Sequence, residues 1–352
     1  MKKILSFPLM GDYDIPAEYL FSHILNVDVL KPPKITKKTI ETGTKYSPEF
    51  ICTPFKYTLG TMIEELEKGA NILVQFGGGC RYGYYFELQE QLLKDLGYSF
   101  IYINLVTAGK NDIKKIYKDL KNVDSNFSII KGIYYLLITI QMVKYMDKVD
   151  DYIRKNIGFS DSEKMENLRK EMLEEFRNIK GYFSLRKVYK KYFKMIKKVE
   201  AHKPSNCLKV GIIGELFTIM EPFANFYLEK ELAKHNIEIT RFTNVDYLLF
   251  KKKRELKKYI KRTKEVTYSM GADASDNVAR TVDMCKDGFD GIIHIKSTFC
   301  TPEIGAMPVI NKICKEYGVP ILFMSFDVNT SETGIKTRLE AFYDMLEMRK
   351  KA

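Results

Sequence analysis

The stretch Ala70–Val106, ANILVQFGGGCRYGYYFELQEQLLKDLGYSFIYINLV, decides the fold. Its opening, ANILVQF, has the length and continuous apolarity of a buried strand. Three glycines, Gly77 to Gly79, and Cys80 make a turn. RYGYYFELQEQLLKDLG then carries helical periodicity and stops at Gly97, a residue suited to the left-handed end of a helix. YSFIYINLV is a second strand. Strand, helix and strand in that order predict a crossover unit in a parallel sheet.

The same alternation extends towards the N-terminus. KKILSFPL predicts a first strand, Pro16 begins a helix through AEYLFSHILNV, and VDVL reads as a short strand. A polar loop with Pro32, Pro33 and Gly43 leads to Cys52, and FKYTLGTMIEELEKG predicts a helix stopped by Gly69. From about Asn111 to His202 the pattern changes to three long helical periods without a strand. The first, Asn126 to Ile157, starts apolar all round and is therefore expected to be largely buried. Asp161–Asn178 follows, with Ser160 or Asp161 as N-cap, then Tyr182–Val199 after Gly181, and a linker, AHKPSN. Alternation returns with LKVGIIGE, a helix in EPFANFYLEKELAKHN, IEITRF, a basic helix, a loop through Gly271 and a helix up to Lys286. DGIIHIKST, a helix from Glu303 to Tyr317, VPILFMSF and a last helix complete it. The expected architecture is α/β: two Rossmann-like lobes with parallel sheets, residues 1–110 and 204–352, and a helical insertion, 111–203, between them.

With 352 residues, the chain is long enough for two cores. Its most apolar stretch, Ile133–Ile140, is far shorter than a spanning helix. The N-terminal apolar run is broken by Pro8 and Gly11 and does not read as a signal peptide. These features predict a cytoplasmic protein with no membrane segment. The net charge of +12 is concentrated in Arg186–Lys198 and Lys251–Lys264. Solvated helix faces, an acidic protein partner and a phosphate-rich ligand such as coenzyme A all fit that excess. Aromatics in and before the first run fall at helical spacing, which speaks for a packing stripe and against nucleic acid.

The six cysteines lack the regular spacing of a secreted disulfide framework. Three share a context. Cys52, Cys80 and Cys300 each follow an apolar, strand-like run and precede a helix. Such turns lie on the carboxyl edge of a parallel sheet, where ligands bind. A helix N-terminus offers free N–H groups and positive partial charge to a thiolate. Glycines before Cys80 let the backbone approach a bulky group. Pro54 and Pro302 suit the first helical turn after their cysteines. Zinc would ask for four closed ligands, often in C-x-x-C pairs, which the chain lacks. A cubane iron–sulfur cluster held by three thiolates would keep one iron open. The competing reading is three small buried side chains. Cys285 and Cys314, on helical stretches, and Cys207, before its strand, fit that bland role.

GGGCRYG is neither a dinucleotide fingerprint nor a Walker motif. GIIGE, Gly211–Glu215, is a tight turn or presents Glu215 to a ligand. His294, inside a strand, reads as a hydrogen-bonded core residue.

Through these stretches the chain resembles the 2-hydroxyacyl-CoA dehydratase and benzoyl-CoA reductase-like superfamily, and within it the acyl-CoA dehydratase activase-related (CoA protein activase) branch. The resemblance rests on KYSPEFICTPFKYTLG, GGGCRYGYYFELQEQLLKDLGY, GELFTIMEPFANF, DGFDGIIHIKSTFCTPEI and TSETGIKTRLEAF. It implies a [4Fe-4S] cluster on Cys52, Cys80 and Cys300, with a double-cubane cluster disfavoured because that needs more thiolates. It also implies a separate ATP-dependent activator of the sugar kinase/actin-like class, whose phosphate-binding glycine motifs this chain lacks. A CoA thioester or other small molecule is the expected substrate, and an oligomer is compatible with a superfamily that pairs related subunits. Lys56 and Arg81 are candidates for supplying positive charge to a cluster or anion, and Glu215 and Glu303 for site acids. The alternative function is a non-redox two-lobed nucleotide- or CoA-binding module, or an assembly partner using the basic helices.

Overall fold

Two four-stranded parallel sheets, each flanked by helices, form the computed structural model, which describes residues 2–78, 80–105 and 112–351. The chain divides into two compact units, Met1–Gln141 and Met142–Ala352.

The N-terminal unit runs β1 (Ile4–Ser6), α1 (Asp14–Ile24), β2 (Asp28–Val29), α2 (Lys37–Lys45), α3 (Thr53–Glu67), β3 (Ile72–Gln75), α4 (Tyr85–Asp95) and β4 (Ile101–Asn104). Its strand order is β2-β1-β3-β4, so the chain reverses direction across the sheet between β1 and β3. The register pairs Leu5 with Ile72, and Ile72–Gln75 with Ile101–Asn104. β3 is buried on both faces, which is why Ile72–Val74 is continuously apolar and not alternating. One core layer gathers Phe7, Phe21, Val74 and Ile103, the other Phe55, Leu59, Met62 and Leu73. Gly69 and Gly97 both take positive φ, +97° and +88°, and end α3 and α4 as the sequence predicts.

Two glycines fix the α2–α3 crossing. A Cβ on Gly43 would stand 1.7 Å from the Lys56 carbonyl oxygen, and one on Gly60 would stand 2.0 Å from that of Thr39. The two helices therefore meet backbone to backbone.

α5 (Ile113–Val123) and α6 (Ile129–Asn156) follow, and the boundary between the units falls inside α6. The second unit continues with α7 (Ser162–Arg177) and α8 (Tyr182–Lys197), then β5 (Leu208–Gly214), α9 (Leu216–Met220), α10 (Leu228–Ala233), β6 (Ile237–Arg241), α11 (Lys252–Ile260), α12 (Ala274–Lys286), β7 (Gly291–Ser297), α13 (Thr301–Tyr317), β8 (Ile321–Phe326) and α14 (Glu332–Lys351). Its order, β6-β5-β7-β8, repeats that of the first sheet. In each sheet the crevice where ligands bind in such folds lies between the first and third strands in chain order.

Three local expectations are corrected. The run before Cys52 is not a strand: Tyr46–Cys52 is a loop between two helices. Pro48 lacks a ladder donor, and Ile51 N–H instead turns back to the Pro48 carbonyl at 3.4 Å. EPFANFYLEKELAKHN is not one helix. Phe226 and Tyr227 take positive φ, 54° and 55°, and α10 starts only after them. The first half of α6 is not buried: Ile129, Ile130, Ile133, Tyr134, Leu136 and Leu137 are all exposed. By length and composition, Ile129–Phe159 also counts as apolar enough to cross a membrane, a longer segment than Ile133–Ile140.

Candidate functional site

Cys52 is the N-cap of α3, with φ −66° and ψ 149°. α3 leads into β3 of a parallel sheet, so it runs opposite to the strand and begins at the sheet's carboxyl edge. Cys80 arrives at the same edge by another route, five residues beyond the end of β3, as the N-cap of a 3₁₀ turn, Arg81–Tyr84. Its Sγ accepts a hydrogen bond from Tyr82 N–H at 3.4 Å.

Tyr85 contacts the first of these thiols and feels the charge of the second. Its hydroxyl lies 2.7 Å from Cys52 Sγ, and both Cys52 and Cys80 act on it electrostatically. Burial raises the Tyr85 phenol far above its ordinary range, the two cysteines add to that, and Arg81 opposes it. The phenol therefore keeps its proton and donates to Cys52 whenever that sulfur is ionised. The ring is held edge-on to Phe55 at 4.8 Å between centroids. Arg81 thus stands within electrostatic reach of the pair. Lys56 is buried and donates to the Glu49 carbonyl at 3.3 Å, bracing the loop in front of Cys52. Gly77 and Gly78 precede Cys80 as expected, whereas Gly79 lies outside the described residues.

In the C-terminal unit, Cys300 is the buried N-cap of α13, three residues past the end of β7. β7 occupies in its sheet the place β3 occupies in the other, so Cys80 and Cys300 hold equivalent topological positions.

Around Cys300 lies a sealed polar cluster. Glu303, one turn into α13, is fully buried. Asn277 Nδ2 donates to its two carboxylate oxygens at 3.0 and 2.9 Å, and His294 Nε2 lies 2.8 Å from Oε2. Asn277 also reads both backbone groups of Gly214, accepting from its N–H at 3.2 Å and donating to its carbonyl at 3.0 Å. Gly214 must be glycine there. Its φ is +139°, and a Cβ would fall 1.7 Å from the Ile295 carbonyl oxygen. One amide thus ties together the end of β5, α12 and α13. His294 is a hydrogen-bonded core residue, as its sequence position predicts, although its Nδ1 is buried with no hydrogen-bond partner. Lys296, near the end of β7, is buried and donates to the Thr298 carbonyl at 3.3 Å. Burial pushes its ammonium below the ordinary lysine range, while Cys300 and Glu303 pull it back up.

Glu215 sits at the end of β5 but is engaged with its own helix. Its carboxylate caps α9, accepting from Phe217 N–H at 2.7 Å, Thr218 N–H at 3.0 Å and Thr218 Oγ1 at 2.5 Å. Burial outweighs these donors and raises its pKa to about 7.

The other three cysteines stand apart. Cys285 and Cys314 are hydrogen-bonded to each other in the apolar core of the second unit. Cys207 precedes β5, at the opposite edge of the sheet from Cys300, and faces Glu238 at 4.0 Å. No disulfide joins any of the six. Among the described residues, no three His, Cys, Asp or Glu side chains converge as a metal site.

The donor chemistry fits a thiolate-bound cluster in kind: soft sulfurs at helix N-termini, one of them hydrogen-bonded to a buried hydroxyl. Sequence reasoning missed Tyr85, Asn277 and Lys296. Lys296 did leave a signal, a lysine in the buried, mostly apolar run IIHIKS. Tyr85 and Asn277 left none, because each acts through partners distant in sequence.

No curated protein matches the chain. Residues 184–346 match the family model described as 2-hydroxyglutaryl-CoA dehydratase, D-component, a span that runs from α8 through most of α14 and includes Cys300, Asn277 and Glu303, and this supports kinship with the 2-hydroxyacyl-CoA dehydratase superfamily.

Proposed function

We propose that this chain is an iron–sulfur subunit of a 2-hydroxyacyl-CoA dehydratase-like system in the cytoplasm. Cys52, Cys80 and Cys300 hold a [4Fe-4S] cluster. Low-potential electrons come from a separate ATP-dependent activator of the sugar kinase/actin-like class, and the substrate is a CoA thioester or another small molecule. The observation that carries this reading is the common position of the three thiols: each is the N-cap of a helix or helical turn, and no other cysteine is. The dehydratase family match over the second unit agrees with it.

Such a cluster supplies a one-electron carrier and a Lewis-acidic iron. The chain's own residues prepare its surroundings. Tyr85 offers a hydroxyl to Cys52, Arg81 adds positive charge beside it, and Lys56 braces the preceding loop. Glu303, fully buried, ties β7 to α12 and α13 through His294 and Asn277. Cys285, Cys314 and Cys207 are engaged elsewhere, which favours a single cluster over a double cubane.

A specific observation favours a second reading, a non-redox two-lobed binder of a nucleotide or CoA: no metal-type cluster of side chains is gathered among the described residues. Anaerobic purification with iron and sulfide analysis and electron paramagnetic resonance decides between them. The first reading expects a brown protein with about four irons per chain, lost in a Cys52/Cys80/Cys300 triple Ser variant. A colourless protein after anaerobic reconstitution, with that variant folding normally and binding nucleotide or CoA like its parent, assigns the second.

A further inference from the structure

The first half of α6 has two apolar faces. One is packed: Ile138 is 3% exposed, and Tyr135 lies against Tyr19 with ring centroids 5.9 Å apart. The other comprises Ile129, Ile130, Ile133, Tyr134, Leu136 and Leu137, exposed by 52, 83, 54, 52, 45 and 61%. At about 100° per residue these six fall within one arc of roughly 160°. That is wider than the stripe a helix normally turns towards a core. Ile129–Gln141 carries a single charge, Lys131.

We propose that this face is a self-association surface, covered in solution by the same face of a second copy of the chain. A helix stripe is self-complementary under a two-fold axis, each residue meeting its counterpart across it. Two copies each carrying +12 repel at most surfaces, and this nearly uncharged strip is where they approach at least cost. A partner selected by charge would find only Lys131 to read. A membrane-spanning role is opposed by the other half of α6, where Arg154 pairs with Glu229 at 3.1 Å, Asp150 with Arg169 at 2.5 Å, and Asp147 accepts from Asp246 N–H at 2.7 Å. The area sets the strength. Six such side chains expose on the order of several hundred Å², the size of the largest patches monomers tolerate, and less than the roughly 800 Å² per partner of a standard interface. The dimer is therefore concentration-dependent and not obligate. This inference is independent of the cluster.

Sedimentation velocity and light scattering on the full chain over a wide concentration range test it. The expected result is a mass that rises from one copy to two. Ile130→Glu, at a position too exposed to affect folding, weakens association at least tenfold, and Ile130→Glu/Ile133→Glu/Leu137→Glu abolishes it with an unchanged circular dichroism spectrum. A wild-type chain that stays monomeric throughout overturns the proposal. So does a dimer that Ile130→Glu leaves intact. Flotation of a monomeric wild type with phosphatidylglycerol-containing vesicles, lost in Ile130→Glu, also overturns it and assigns the face to lipid.

Discussion

The hydroxyl of Tyr85 lies 2.7 Å from the sulfur of Cys52, 33 residues earlier in the chain. This contact joins the N-terminus of α4 to that of α3 and bears on both stability and chemistry. Tyr85→Phe keeps the ring against Phe55 and removes only the hydroxyl. A loss of about 1 kcal/mol is expected, as for an ordinary hydrogen bond. Tyr85→Ala also opens a cavity and should lose about 3–5 kcal/mol. Urea unfolding of both variants separates the two contributions. In a cluster-loaded protein, Tyr85→Phe should also shift the reduction potential, because one hydrogen bond to a ligand sulfur is gone.

Glu65 gives the N-terminal unit a pH dependence. It is fully buried on α3 and neither oxygen makes a hydrogen bond of good geometry. Burial raises its pKa from 4.5 to about 8. The neutral form is favoured in the fold, so its stability is complete below about pH 4.5 and declines as pH rises towards 8, where only the unfolded chain readily ionises. Glu65→Gln should remove this decline and be more stable at pH 7 by a few kcal/mol, ~1.4 per pH unit of separation. Unfolding curves collected from pH 4 to 9 on both proteins should converge at the acid end. Parallel curves would show that Glu65 is not the group responsible.

Asn277 holds the turn of the second unit together. Asn277→Leu preserves bulk but strands the Gly214 backbone groups and a Glu303 oxygen without partners. Each buried unsatisfied group costs about 1–3 kcal/mol, so the variant should lose at least 3 kcal/mol in denaturant unfolding. Asn277→Asp should be no milder, since it sets a second carboxylate against Glu303.

Two glycines with positive φ should respond differently. Gly214→Ala places a methyl 1.7 Å from the Ile295 carbonyl oxygen and should prevent folding of the second unit. Gly318→Ala, at φ +68° with nothing within 4 Å, meets only the backbone penalty. It should cost about 1 kcal/mol and yield soluble protein whose melting point falls by a few degrees.

Continuous apolarity made both parallel sheets legible, because β3, β5 and β7 are buried along nearly their whole length and each carries an apolar run, Ile72–Val74, Val210–Ile213 and Gly291–Ile293. Gly69 and Gly97 marked the ends of α3 and α4 for a physical reason, their positive φ. The strand imagined before Cys52 failed because Ile51 and Phe50 resemble strand residues while Pro48 denies the segment a ladder. α6 failed in another way. Apolarity all round predicts burial, but the sequence does not say whether the cover comes from the same chain. The helix N-terminal placement of Cys52, Cys80 and Cys300 could be read from Pro54, Pro302 and the glycine turn. Tyr85 and Asn277 could not, since the contacts that give them meaning span 33 and 63 residues.

The backbone-to-backbone crossing at Gly43 and Gly60 has a consequence for whatever binds at Cys52. The seven residues of the loop Tyr46–Cys52 are anchored at both ends by helices that cannot slide or part without losing main-chain contact. Most of the conformational entropy of that loop is thus surrendered during folding, before any ligand arrives. A group captured by the Cys52 sulfur need not order the segment that carries it, and its affinity is correspondingly higher than a thiol on a floppy loop would give. The same rigidity limits tolerance. Any side chain at either glycine would pry the helices apart, so a change remote from the sulfur in chemistry would be felt there as a loss of readiness to bind.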